Sequence, residues 1–380
     1  MPSIDKTWIE LDIKNYIQNL NQLRATLNPN VNFCAVFKAN AYGHGLRPLL
    51  PICYEQGVRD IGVDNIDEAI IARELAPLAR IWILGYTSPE RFDDVVGNDC
   101  IQTIYDCTQI ELLGQSAHRL KRSAKISIKI ETGTQRQGMA PSALPFILAA
   151  IEKERGSVTC VGIGSHFSSA ELTSKEKITQ LQNIAFENAL LKADALGFKD
   201  FCSHISGSAS ALLYPSTHHN MVRVGLAQYG LWPSDEVRKL VIVKKNAFEL
   251  KPVLTWKTRV AQIKDIATGT PVGYDQTFIS DRPMRLAILP VGFFDGYCRS
   301  CRNLHVLIHG QKCPIVGTIC MNMMIVNVST VGQIKVHDTV TLLGRDGMNQ
   351  ITAEEIASNS GTINYEVVTR IGSHLPRRLI

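Results

Sequence analysis

Between residues 30 and 230, short runs of apolar, often β-branched residues alternate with longer stretches of helical period. The candidate strands are FCAVF (33–37), DIGV (60–63), IWIL (81–84), CIQTI (100–104), ISIKI (126–130), CVGIGS (160–165), FCSHIS (201–206) and MVRVG (221–225). Most are apolar almost throughout, as parallel strands covered on both faces must be. Between them lie LRPLLPICYEQG, NIDEAIIARELA and SKEKITQLQNIAFENALLKADALG, whose apolar positions follow a helical repeat. The last of these closes at Gly197, in the position of a C-terminal cap. Eight strand–helix units over about 200 residues predict an α/β fold, a (β/α)8 TIM barrel rather than an open sheet.

The pattern changes after about residue 245. VLTWKTRVAQIKDIATGTPVGY, MRLAILPVGF, HVLIHGQKCPIVGTICMNMMIVNVS and DTVTLLG are strand-like runs broken by Gly, Pro and Asp, with little helix before TAEEIASNSG. The barrel is therefore expected over residues 1–240 and a mostly β C-terminal domain over 241–380. The first ten or so residues are left open to pack with the second domain. A chain of 380 residues is long enough for two such domains.

Composition narrows the class. Hydrophobic residues make up 45% and charged residues 20%, which suits large cores and excludes disorder. The net charge of +5 is spread along the chain, so no nucleic-acid partner is expected. No apolar run approaches the ~18 residues of a membrane helix, and MPSIDKTWIELDI lacks the pattern of a signal peptide. A cytoplasmic protein without a membrane partner is expected. The ten cysteines mostly occupy apolar stretches (FCAVF, VTCVG, TICMN) and read as small buried hydrophobes. Cys298 and Cys301 form a close pair, but Cys313 and Cys320 are too far apart to complete a zinc ribbon, so no metal is expected.

The strongest local signal is VFKANAYGHG (36–45). Lys38 follows an apolar strand, where barrels gather their chemistry. Partial desolvation there would disfavour its charged form and make it a nucleophile able to form a Schiff base. A surface lysine capping a strand fits its position equally well. Small residues also follow the seventh strand (Ser206 to Ser210) and the eighth (Gly225, Leu226). Those two loops often build a phosphate site in barrels, although simple helix caps would look the same. A lysine for an aldehyde and a cradle for a phosphate together suggest pyridoxal 5'-phosphate.

KANAYGHG resembles the cofactor-lysine signature of the alanine racemase family, and the likeness runs along essentially the whole chain. Matching blocks are KIETGTQRQG (129–138), SHF (165–167), MVRVGL (221–226) with YG (229–230), VGY (272–274), CM (320–321), and NYE (364–366) with PR (376–377). The resemblance implies an isomerase that interconverts L- and D-alanine, with D-alanine supplied to cell-wall peptidoglycan. It implies two bases on opposite faces of the α-carbon: Lys38 serving the D-enantiomer and Tyr274 the L-enantiomer. It places Arg223 at the pyridine nitrogen of the cofactor and Arg136 at its phenolic oxygen and the substrate carboxylate. Lys129 would support Arg136, often as a carbamate in the family. His166 would lie beside the ring, and Tyr42, Ser208, Gly225, Leu226 and Tyr365 would hold the phosphate. Tyr274 and Met321 would come from a partner subunit, which implies a homodimer with shared active sites.

The chain departs from the family at several positions. Asn322 replaces the usual aspartate after the methionine, and Gly207 replaces the asparagine before Ser208. Phe293 stands where a tyrosine is common, and the arginine loop reads GTQRQG rather than GMxRxG. None of these touches Lys38, Tyr274, Arg136 or Arg223, but they bear on substrate breadth. A racemase of serine or of basic amino acids is the main rival. A barrel-type decarboxylase is disfavoured by Arg223, and a barrel-only cofactor carrier by the residues after 245.

Overall fold

The computed structural model describes residues 5–245, 247–300 and 304–380. Two compact units emerge, and one holds Ile17–Ala41 and Leu49–Lys251. The other holds the chain up to Tyr16, Tyr42–Pro48 and Pro252–Ile380.

The first unit is an eight-stranded parallel sheet, rolled until it nearly closes. Its strands are β2 (Asn32–Val36), β3 (Asp60–Val63), β4 (Arg80–Ile83), β5 (Cys100–Ile104), β6 (Ala124–Lys129), β7 (Val158–Gly164), β8 (Cys202–His204) and β9 (Met221–Val224). The neighbour order is β8-β7-β6-β5-β4-β3-β2-β9. The last gap, β8 to β9, is bridged by single bonds at its two ends, Asn220 N to Ser203 O (3.1 Å) and Arg223 N to Ser206 O (2.9 Å). All eight expected strands are present, with ends shifted by a residue or two, as fraying and loop geometry dictate. Sequence-local caps start the helices between them. Asn65 accepts from Glu68 N ahead of Ile66–Leu75, and Asp106 accepts from Gln109 N ahead of Cys107–Leu120. Cys34, Trp82, Ile101 and Met221 pack together as one core cluster.

The second unit is mostly β. The N-terminal strand β1 (Thr7–Leu11) pairs antiparallel with β10 (Leu254–Arg259) and parallel with β20 (Arg377–Leu379). The other strands are β11 (Gln262–Ile266), β12 (Pro271–Val272), β13 (Phe278–Ile279), β14 (Met284–Leu289), β15 (His305–Ile308), β16 (Gln311–Val316), β17 (Met324–Asn327), β18 (Thr339–Asp346) and β19 (Asn349–Ile351). The main order is β11-β14-β17-β16-β15-β18-β10-β1-β20.

The cysteines only partly follow expectation. Cys34, Cys53, Cys100 and Cys313 are buried, but Cys107, Cys160, Cys202, Cys298 and Cys320 are half-buried. The apolar sequence around Cys160 and Cys320 does not decide how much of each thiol the neighbouring loops cover. Cys301, the second member of the close pair, lies outside the described residues. No cluster of metal-ligating side chains and no helix long and apolar enough to cross a membrane occurs among the described residues.

Candidate active site

Lys38 lies just past the end of β2, and the chain then turns left-handed. Ala39, Asn40, Ala41 and Tyr42 have φ of 53, 52, 56 and 52°. Each L-residue so placed costs roughly 1 kcal/mol or more, so the turn needs external support. Glu68 supplies it, accepting from Asn40 N (2.9 Å) and Asp64 N (3.0 Å). The turn ends at Gly43, where φ is +79° and a Cβ would lie 1.9 Å from the Val368 carbonyl oxygen. Burial pulls the Lys38 amine below its ordinary 10.5; Asp64 opposes this, while Arg136 and Arg223 add to it. A larger population of the neutral, nucleophilic amine follows.

Lys129, at the end of β6, is pulled further down, by burial first and then by Arg223 and Arg136. Arg136 is exposed on the loop after β6, yet its charge is felt at Lys38, Lys129, His166 and Arg223. The guanidinium of Arg136 and the amines of Lys38 and Lys129 have no hydrogen-bond or ion-pair partner among the described residues. Arg223 on β9 is buried, which draws its pKa to about 10 and leaves it protonated at neutral pH. It donates to the carbonyls of Ser165 (2.7 Å), His204 (3.1 Å) and Ile205 (3.3 Å) and to His166 Nδ1 (3.3 Å). It also contacts His204 Nδ1. All its acceptors are neutral, so it is a cation without a carboxylate.

His166 and His204 are both pushed well below 6.5, chiefly by burial and then by nearby cations. A neutral His204 that accepts at Nδ1 carries its proton on Nε2, which lies 3.2 Å from Ser127 Oγ. Its imidazole meets the Trp82 ring edge-on, and Gly164 leaves it room, since a Cβ there would be 2.2 Å from His204 Cε1. Beyond β9, Ser208 Oγ accepts from Gly225 N (3.1 Å) and Ala227 N (3.5 Å). Leu226 is buried between these two donors in sequence.

The structure thus brings together Lys38, Lys129, Arg136, His166 and Arg223, and separately Ser208 with Gly225. In the second unit, Tyr42 and Tyr365 face each other with ring centroids 6.2 Å apart. Tyr274 and Met321 also belong to that unit, and both are exposed, at 65% and 57%. Sequence reading missed His204, Glu68 and Glu131. Each left a weak signal: a histidine inside a buried strand, and carboxylates next to the loops that carry other site residues.

Comparison with known proteins reads the same arrangement. Residues 11–233 match the family description "Alanine racemase, N-terminal domain", and 253–379 match "Alanine racemase, C-terminal domain". The chain belongs to the alanine racemase family. An alanine racemase of Leptospira interrogans is 35% identical over 377 residues, covering 98% of this chain and 96% of that protein. The structure of alanine racemase from Clostridium difficile 630 superposes with a TM-score of 0.93 at 31% identity, covering 99% of this chain and 96% of that one. Alanine racemase from Bacillus anthracis, solved with bound L-Ala-P, has a TM-score of 0.93 at 29% identity, covering 100% and 96%. As in the alanine racemase structures, a nearly closed parallel barrel precedes a mostly β domain. The chain is an isomerase of the alanine racemase family.

Proposed function

We propose that the chain interconverts L- and D-alanine by a two-base mechanism, with pyridoxal 5'-phosphate as cofactor. The observation that carries this reading is the group of four basic side chains, Lys38, Lys129, Arg136 and Arg223, gathered at the barrel's strand ends. With no ion pair to a carboxylate among the described residues, such a set fits a ligand rich in anionic oxygens. Lys38, with its depressed pKa, suits an aldehyde partner. Arg223 can only donate, which suits an unprotonated pyridine nitrogen. The L-Ala-P bound in the Bacillus anthracis structure supports alanine as the substrate.

Tyr42, Ser208, Gly225, Leu226 and Tyr365 would hold the phosphate, His166 would lie beside the ring, and Arg136 would take the substrate carboxylate. Pyridoxal 5'-phosphate, when bound, supplies the electron sink for the pair left when the α-proton departs. The Lys38 amine would hold or return that proton on one face and the Tyr274 phenol on the other. Lys129 would brace Arg136, and as a carbamate it would add the missing negative charge; its depressed basicity favours the neutral amine that such a reaction needs.

A homodimer that shares its active sites completes the reading, with Tyr274 and Met321 contributed by the partner. In support, Tyr274, Ile279, Phe294 and Met321 are large side chains left exposed on the second unit. Thr318 and Phe294, which touch the Tyr274 and Met321 segments, line a groove of about 1170 Å³. The family supports a cytoplasmic role in supplying D-alanine for peptidoglycan as part of this reading.

Absorbance spectra and a chiral assay on wild type and Lys38→Ala test the proposal. The wild type should carry an imine chromophore and form D-alanine from L-alanine, and the variant should lack both. A colourless wild type after incubation with the cofactor, or a variant as active as wild type, would refute it.

A further inference from the structure

We propose that Glu131 is a positioning residue, whose carboxylate holds the loop that carries Arg136 in the shape needed to meet a substrate carboxylate. This rests on the reading of Arg136 as the carboxylate-binding group.

Glu131 comes two residues after the end of β6, at the start of that loop. Its Oε1 accepts from Gly133 N (2.5 Å) and Thr134 N (2.6 Å), and its Oε2 from Arg136 N (3.4 Å). Three backbone donors of the loop thus converge on one side chain. Converging N–H dipoles repel one another unless an anion sits at their focus. The loop also includes a conformation that is costly for an L-residue, with φ of +53° at Gln135. Burial pushes the Glu131 carboxyl up, but the donors of Gly133, Gln135, Thr134 and Arg136 outweigh it and hold it below its ordinary value. The anion therefore persists through the neutral range.

The rest of the loop is tied at its margins. Glu131 N donates to Met139 O (2.8 Å), Met139 N to Lys129 O (2.9 Å), and Thr134 Oγ1 to His166 O (2.8 Å). These bonds fix the ends and one side but leave the arc at 135–136 to Glu131. The contrast with Arg223 is informative. Arg223 is aimed by five contacts to its own guanidinium, whereas the guanidinium of Arg136 has none among the described residues. Whatever brace Lys129 lends its guanidinium, Arg136 starts from a backbone position that Glu131 sets.

The test uses the holoenzyme and propionate, a carboxylate without the α-amine that could react at Lys38. Glu131→Gln keeps the size but replaces one acceptor by a donor facing Arg136 N. It should weaken propionate inhibition and raise KM for L-alanine, each about tenfold, while the imine absorbance stays as in wild type. Glu131→Asp keeps the charge and can still accept from the amides two and three residues on, but it gives up the reach to Arg136 N, so it should recover only part of both losses, leaving each about threefold from wild type. Where the glutamine variant does not fold, Glu131→Ser, with one short acceptor, should show the same loss. Arg136→Lys is the reference. If it loses propionate affinity while Glu131→Gln binds like wild type, or if Glu131→Asp is as impaired as Glu131→Gln, the positioning role is wrong. If Arg136→Lys itself leaves propionate binding unchanged, the reading of Arg136 fails instead.

Discussion

Arg223 illustrates how a buried charge is kept without a counter-ion. Its guanidinium is distributed over three carbonyls and two unprotonated imidazole nitrogens, and each acceptor offsets part of the lost hydration. The arrangement works only while His166 and His204 are neutral. Both pKa values are depressed in the folded protein, so the unfolded chain takes up protons first as pH falls below about 6.5. Stability from these two groups is therefore fully present above that pH and is lost as pH falls toward their folded values. Each contributes a slope of up to about 1.4 kcal/mol per pH unit in that window. Urea denaturation between pH 7 and pH 5.5 should show wild-type stability falling with acidity. His204→Gln should show a shallower fall, because its amide cannot take up a proton. An unchanged slope would mean that His204 does not titrate in this way.

At the scale of elements, the site depends on one short left-handed turn and on the glycine that ends it. Four consecutive L-residues in that conformation are tolerable only because Glu68 and the Phe37 carbonyl anchor their amides. Gly43 has neither the backbone angles nor the space for a side chain: its φ is positive and the Val368 carbonyl fills the Cβ position. Gly43→Ala should destabilise the protein by at least about 2 kcal/mol, through strain and overpacking together. The loss should appear in a denaturation midpoint. A midpoint within error of wild type would show that the backbone there yields freely. Glu68→Ala should loosen the same turn from its other side, visible as faster hydrogen exchange at Asn40 N and Asp64 N than in wild type.

For the whole molecule, the decisive question is where Tyr274 acts. In the proposed homodimer each site takes Lys38 from one chain and Tyr274 from the other. Lys38→Ala and Tyr274→Phe proteins would each be strongly impaired alone. Mixed and allowed to exchange, they form heterodimers in which one site carries both substitutions and the other carries neither. Activity should then return to about a quarter of wild type for random exchange. No recovery, under conditions where exchange is shown by mixed-mass dimers, would mean that the sites are not shared.

The barrel was legible because its strands are buried on both faces. Runs such as FCAVF and IWIL are apolar at every position, and local caps such as Asn65 and Asp106 mark where helices begin. Lys38 was legible for the same reason, as a charge that ends an apolar strand. These are properties of neighbours in the chain, and the amino-acid sequence by itself determines them. What only the tertiary structure decided is how distant charges meet. Lys129 and Arg223 lie on strands far apart in sequence, and neither pattern nor spacing states that closing the sheet brings their fields together. Nor did the sequence say that the strand at Thr7–Leu11 pairs with Leu254–Arg259 and Arg377–Leu379, since its apolar face would fit any open sheet edge. Glu68 and Glu131 stayed hidden because a carboxylate beside a loop is usually solvated. Their work depends on where backbone amides point, and amide directions are set by the fold.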